Sequence, residues 1–356
     1  MTQQKVYIGM DVHSRTCTYA VLDEDGQMVF RTTVPTNLDR LRRCLERVSG
    51  KRHVAIENGT QAAWLYQGLR DLCEKMIVAN LRGMRRSWET KSDAIDAPKL
   101  AELMRTNSLK GVWVHTREDH QALMQAARCY EQLNQDVVRA KNRVKSVFQS
   151  VGVECTGSGI FGQKQSEERL RKLPEGYRGR AGLLLEELGE LVPLKKKARE
   201  RMVKEARKQK RDFIVVRSYP GIGLVSGARL MGHMGTPARF PHKRPFWKAC
   251  GLAVVTHSSG DHWVDSGTGE VRMNRRIRTR GLNRDYNRAF KSILKSAAKT
   301  AIRNGVFKEE YDRRIAQGMR PSMALLTITR KLAAGLLTGW KKGEKFNPEK
   351  VKSSGS

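Results

Sequence analysis

The stretch Val6-Tyr-Ile-Gly-Met-Asp-Val12 constrains this chain more than any other, because it reads as a hydrophobic strand carrying one carboxylate, Asp11. A carboxylate left unpaired in so apolar a strand is costly, so Asp11 calls for a metal or a hydrogen-bonding partner. Alternation resumes from Thr16 to Leu22, Asp23-Glu24-Asp25-Gly26 makes a turn, and Met28 to Val34 forms a third strand, which predicts an antiparallel meander. Asn37 then caps a helix with Leu38, Leu41, Leu45 and Val48 at helical spacing. His53 to Glu57 reads as a fourth strand, Gln61 to Glu74 as a second helix and Met76 to Ala79 as a fifth strand.

Three meandering strands followed by helix, strand, helix, strand and helix is the element order of the ribonuclease H-like fold. In that architecture the first strand lies centrally with the fourth parallel beside it, so Asp11 and Glu57 converge. The helix after the fifth strand begins in Lys91-Ser-Asp93-Ala-Ile-Asp96-Ala-Pro-Lys-Leu-Ala101, where two carboxylates three residues apart share one face. Taken alone, such a pair more often means a helix N-terminal charge at Asp93 and a solvated residue at Asp96. Joined by Asp11 and Glu57 from two other elements, the four acids form a candidate site for a divalent cation.

Charge indicates the partner. The 356 residues hold 68 Lys and Arg against 36 Asp and Glu, a net charge of +32 suited to a polyanion lying along an extended surface. No apolar run approaches the roughly 18 residues of a spanning helix, and the first residues lack a signal-peptide layout, so the expectation is a cytoplasmic protein with no membrane partner. The six cysteines (Cys17, Cys44, Cys73, Cys129, Cys155 and Cys250) include no C-x-x-C pair, which argues against a zinc ribbon or a disulfide framework.

Beyond the first domain (1–110) the pattern turns helical. Glu118 to Val151 and Ala181 to Arg211 read as long helices of an arm (111–212) able to pair as a coiled coil, interrupted by Gly157 to Gln165 and by Pro174. Lys195 to Arg211 holds ten basic residues and two acids. Lys195, Lys196, Lys197, Arg207, Lys210 and Arg211 serve either phosphate contact or a solubilising helix face. Tyr219-Pro-Gly221-Ile-Gly223 opens a third, mainly helical domain (213–345), ahead of a disordered tail (346–356). The turn is either helix-hairpin-helix-like, with exposed amides for a phosphate, or an ordinary tight turn. An apolar helix from Phe246 leads to Ser258 and Ser259, by themselves turn residues before Gly260. Arg272, Arg275, Arg276, Arg278, Arg280 and Arg284 follow, and a nucleophile beside a phosphate clamp is one reading that composition alone does not select. Ala289 to Arg303 reads as an amphipathic helix.

The patterns Gly-Met-Asp11-Val-His, Ile-Glu57, Ser-Asp93-Ala-Ile-Asp96-Ala-Pro-Lys-Leu-Ala, Pro-Gly-Ile-Gly, and Gly-Leu followed by Ser-Ser-Gly resemble the DEDD transposases of the IS110 family of bacterial insertion sequences, relatives of the Piv DNA invertases. The resemblance runs from about Val6 to Leu337 and is weakest in the arm. It implies a RuvC-like amino-terminal domain whose Asp11, Glu57, Asp93 and Asp96 bind Mg2+, or Mn2+, and a transposase domain whose serine attacks DNA. The Ser-Ser-Gly match puts that serine at Ser259, with Ser258 the competing assignment. It further implies double-stranded donor and target DNA, a structured guide RNA, and a homo-oligomer, dimeric and tetrameric in synapsis. Where the family has Gly-Asn-Arg this chain reads Gly281-Leu282-Asn283-Arg284, which leaves the alignment of Arg275, Arg276, Arg278 and Arg280 loose. The rivals are a metal-dependent endonuclease of the Holliday-junction resolvase type, in which water attacks, and a non-catalytic nucleic-acid scaffold.

Overall fold

A computed structural model describes residues 4–81, 93–114, 117–154, 161, 163–257, 262–264, 267–268, 270–273 and 278–349; at 93–95, 163–166, 256–257, 262–264, 271–273 and 278–280 it describes the backbone alone. The chain divides into two compact units, Met1–Arg117 and Glu118–Ser356.

The first unit is built on β1 (Lys5–Val12), β2 (Thr16–Leu22), β3 (Met28–Pro35), β4 (Lys51–Glu57) and β5 (Lys75–Ala79), with α1 (Leu38–Glu46), α2 (Ala62–Leu69) and α3 (Asp93–Arg105). The strands lie in the order β3-β2-β1-β4-β5, so β1 is central, antiparallel to β2 and parallel to β4, as the element order predicts. Side chains alternate along a strand. Val6, Ile8 and Met10 therefore enter a core with Leu41 and Leu45 of α1 and Leu65 and Leu69 of α2. Ile8, Met10 and Ile56 are fully buried, and each such side chain contributes roughly 1.5–3 kcal/mol. The opposite face, with Tyr7 and Ala55, receives Leu100 and Met104 of α3.

Local chemistry sets the helix ends. Asn37 Oδ1 accepts from the amides of Asp39 (3.0 Å) and Arg40 (3.3 Å), the cap expected for α1. Helix α2 stops at Leu69, short of the predicted Glu74, and a 3-10 turn spans Arg70–Leu72. Arg42 reaches across from α1 to the Gly68 carbonyl (2.5 Å) and bidentately to Asp71 (2.9 and 2.6 Å). It thereby occupies the acceptor that a continuing helix would offer to the Leu72 amide.

The second unit contains α4 (Glu118–Gln149), α5 (Gln163–Arg171), α6 (Glu175–Lys208), α7 (Lys210–Arg217), α8 (Leu224–Met234), α9 (Lys243–Ala249), β6 (Val254–His257), β7 (His262–Val264), β8 (Val271–Met273), β9 (Arg278–Leu282), α10 (Arg288–Arg303), α11 (Lys308–Ala316) and α12 (Pro321–Lys342). Helices α4 and α6 run antiparallel: Val147 and Phe148 pack with Ala181, Val137 and Ala140 with Leu188, and Leu123 and Ala126 with Met202 and Ala206. The last of these clusters continues into Phe213, Leu230, Phe290 and Leu336, so the position expected as a domain boundary, 212/213, lies within one shared core. The helix expected from Ala181 to Arg211 is divided at Gln209, whose φ of −90° and ψ of 56° end α6 and begin α7. This unit was expected to be mainly helical; it also carries two small antiparallel ribbons, β6 with β9 and β7 with β8. Phe346, in the stretch expected as a tail, stacks on Tyr219 with ring centroids 5.2 Å apart. Among the described residues no helix is long and apolar enough to cross a membrane, and the five described cysteines are free thiols.

Candidate functional site

Asp11 and Glu57 are brought together by strand pairing. The parallel register of β1 and β4 ends with Met10 opposite Ile56, so the next residue on each strand, Asp11 and Glu57, is its neighbour's counterpart on one face of the sheet. That face carries α3. Tyr7 meets Met104 and Leu100, while a Cβ on Gly9 would lie 1.9 Å from the Ala97 carbonyl oxygen and 2.6 Å from the Ala101 amide. Only a residue without a side chain allows so close an approach. Moving up β1 from Tyr7 to Gly9 thus moves down α3 from Met104 to Ala97, and the same progression carries Asp11 toward the turn that begins α3. Asp96 on that turn is half-buried; Asp93 opens the helix, with its side chain outside the described atoms.

Asp11 is 8% exposed. Its Oδ2 accepts from His13 Nε2 at 3.0 Å, the imidazole standing one residue beyond the end of β1. His13 was not singled out in the sequence, although the two-residue spacing of Asp11-Val-His13 places both on one strand face. Cys17, paired through Val12, is fully buried; burial, and then the charge of Asp11, push its thiol far up, so it stays protonated. Glu57 is exposed at the end of β4. Among the described residues no three His, Cys, Asp or Glu side chains stand close enough to hold a metal, the side chain of Asp93 lying outside that set. The donors offered are carboxylate oxygens, the ligands of hard divalent cations.

In the second unit Ser258 and Ser259 lie outside the described residues, as do Arg275 and Arg276. Their flanks are described. β6 pairs with β9 so that His257 faces Arg278 and Thr256 faces Thr279. The residue before Ser258 is thereby tied to the strand bearing Arg278 and Arg280, a juxtaposition that the sequence alone left as mere proximity. Asn283, of the loose Gly-Leu-Asn-Arg element, is buried: its Nδ2 donates to the Lys248 carbonyl (3.0 Å) and its Oδ1 accepts from the Asp285 amide (3.1 Å). That position joins β9 to α9.

The two glycines of the hairpin do different things. Gly221 has φ +76°, and a Cβ there would sit 2.4 Å from the Ala297 carbonyl oxygen on α10, so this half of the motif is close packing. Gly223 is open and precedes α8, whose first turn has no side-chain cap. Along α6, Lys196, Lys197 and Arg207 are exposed, as is Lys210 at the start of α7, while Ala198, Met202, Val203 and Ala206 face the core. Lys195 is half-buried; burial, then Lys141 and Arg199, lower its pKa. The guanidinium of Arg211 lies against Gly343, at the carboxyl end of α12, where a cation meets the helix dipole.

Two family models match the chain, and both describe transposases. Residues 8–152 match the DEDD transposase model of the IS110 group, and residues 214–312 match the model described as Transposase IS116/IS110/IS902 family. The chain belongs to this family of transposases, enzymes that act on DNA. No curated protein matches it.

Proposed function

We propose that this transposase cuts and rejoins DNA strands with a serine nucleophile, Ser259 or its neighbour Ser258, acting with an acidic metal site made by Asp11, Glu57, Asp93 and Asp96. The observation that carries the reading is the parallel register of β1 and β4, which delivers Asp11 and Glu57 side by side on the face that α3 crosses. These carboxylates would hold Mg2+ or Mn2+, and a bound ion supplies Lewis acidity toward a phosphoryl oxygen. His13 orients the Asp11 carboxylate, as the partners of metal ligands commonly do. The serine oxygen attacks phosphorus, the bond from phosphorus to the strand's bridging oxygen breaks, the serine proton passes to solvent and the departing strand hydroxyl gains one. The phosphodiester is conserved on serine, and a DNA hydroxyl reverses the displacement to rejoin the strand. Arg275, Arg276, Arg278 and Arg280 balance charge gathering on phosphate; the pairing of His257 with Arg278 supports their place beside the serine segment.

The excess of 68 basic over 36 acidic residues fits donor and target duplexes together with a structured guide RNA, whose base pairing would choose sequence while the protein reads backbone and shape. Lys195, Lys196, Lys197, Arg207 and Lys210 supply phosphate contacts on the arm. The working form is a homo-oligomer, dimeric and then tetrameric in synapsis, acting in the bacterial cytoplasm. The test is to react the protein with labelled donor DNA, digest the protein, and locate the nucleotide-bearing peptide by mass spectrometry. An adduct on Ser259 or Ser258 is expected; strand cleavage with no adduct would overturn the serine mechanism.

A further inference from the structure

The second unit holds a cavity of about 620 Å³ that none of the chemistry above uses. Its aromatic walls are Tyr219, Trp247, Phe307 and Phe346, and its floor is a stripe of α12 on which Ala334, Gly335, Thr338 and Gly339 leave room. Two of the rings are fixed to that helix: the Tyr219 hydroxyl donates to the Gly335 carbonyl (2.8 Å) and Trp247 Nε1 donates to the Arg330 carbonyl (3.0 Å). Six cations line the cavity against two carboxylates. Glu310 holds two of them, Arg314 at 2.9 Å and Lys331 at 2.7 Å. Lys243 and Arg330 lie over the Trp247 ring, at 5.5 and 5.9 Å from its centroid, and Lys342 and Lys345 stand exposed at the rim. A second cavity of about 580 Å³ adjoins it, sharing Trp247 and Arg330 as a common wall and bringing Arg244 and Lys248.

We propose that the larger cavity receives one unpaired nucleotide of a nucleic-acid strand, its base against the Trp247 wall and its phosphate among Lys243, Lys342 and Lys345. The cation excess selects an anion, and the fixed aromatic walls select a planar one; a phosphate ion alone would leave those walls unused. Cavities of this size hold small planar ligands, and aromatic platforms beside cations are how proteins grip unstacked bases. The adjoining cavity, with its own cations, lets the strand continue past Trp247. This inference rests on the nucleic-acid function proposed above and adds to it a seat for an unstacked residue, supplied by either DNA or RNA.

The full-length protein is titrated with a short labelled single strand, in deoxyribose and ribose versions, and with the same strands carrying one abasic position. Losing a stacked base should weaken binding about tenfold, and whichever sugar shows that penalty identifies the source. In a strand bearing 5-iodouracil, photocrosslinking should attach to Trp247. Trp247→Ala should abolish the abasic penalty; because Trp247 also braces α12 through the Arg330 carbonyl, the exposed pair Lys342→Glu and Lys345→Glu is run beside it and should weaken the intact strand severalfold. Equal affinity for intact and abasic strands of both kinds, or crosslinks only outside 219–347, overturns the proposal while duplex binding persists. Absence of binding to every strand and duplex would instead overturn the nucleic-acid function on which it rests.

Discussion

His13 Nε2 stands 3.0 Å from Asp11 Oδ2, an exposed imidazole against a buried carboxylate. Asp11→Asn keeps the shape but removes the charge, so strand cleavage should be abolished in a gel assay on labelled donor DNA. His13→Ala should lower the cleavage rate about 10- to 100-fold, with partial recovery in His13→Gln, which restores a donor. An unchanged rate in His13→Ala would remove the positioning role.

Ser259→Ala is expected to abolish strand exchange while circular dichroism and duplex binding stay as in the parent. Ser258→Ala, made in parallel, decides between the neighbours, the inactive variant identifying the attacking oxygen. Full exchange by both single variants and by the double would sink the serine mechanism.

Gly9 is the point at which α3 rests on β1, with no space for a methyl. Gly9→Ala should cost about 1–3 kcal/mol through overpacking and displace Asp96 along with its helix. Thermal melting and cleavage should both fall. Gly182→Ala is the control: it sits in α6 with open space at its Cβ and should stabilise by about 0.4–1 kcal/mol.

The exposed lysines of α6 distinguish a phosphate-binding face from a solubilising one. If Lys196 and Lys197 each touch a phosphate, Lys196→Ala with Lys197→Ala should shallow the slope of log affinity against log salt by about 0.9 per contact. A slope unchanged from the parent protein would assign this face to solubility.

Glu310 makes the second unit acid-sensitive. Burial would raise its pKa, but the hydrogen bonds and charges of Lys331 and Arg314 outweigh that and hold it below the ordinary value. A carboxylate so depressed adds stability above its unfolded pKa, about 4.3, and loses it as pH falls through the lower folded value. Melting temperature should therefore drop from pH 5 downward more steeply in the parent than in Glu310→Gln. Parallel curves would show that this triad contributes no pH dependence.

The strands of the first unit were legible because period-two burial writes itself into Val6, Ile8 and Met10, and turn residues separate the runs. So was the meeting of Asp11 with Glu57, since strand order alone dictates it. The ends of α2 and α6 were not, for a physical reason: Arg42 takes a backbone acceptor from a helix distant in sequence, and Gln209 turns where local propensity favours continuation. The ribbon β6–β9 escaped because Val254, Val255 and Thr256 follow directly on an apolar helix and read as its extension. The Trp247 wall became visible only when tertiary packing gave it neighbours, whereas His13, two residues from Asp11, was readable from strand spacing.

The facing pair His257 and Arg278 has an evolutionary consequence. Their backbone pairing holds the two ends of the intervening segment side by side, so the separation of those ends is set by β6 and β9. A lineage of such enzymes can therefore change the number of residues between these two anchors while inheriting the pairing that brackets Ser258 and Ser259.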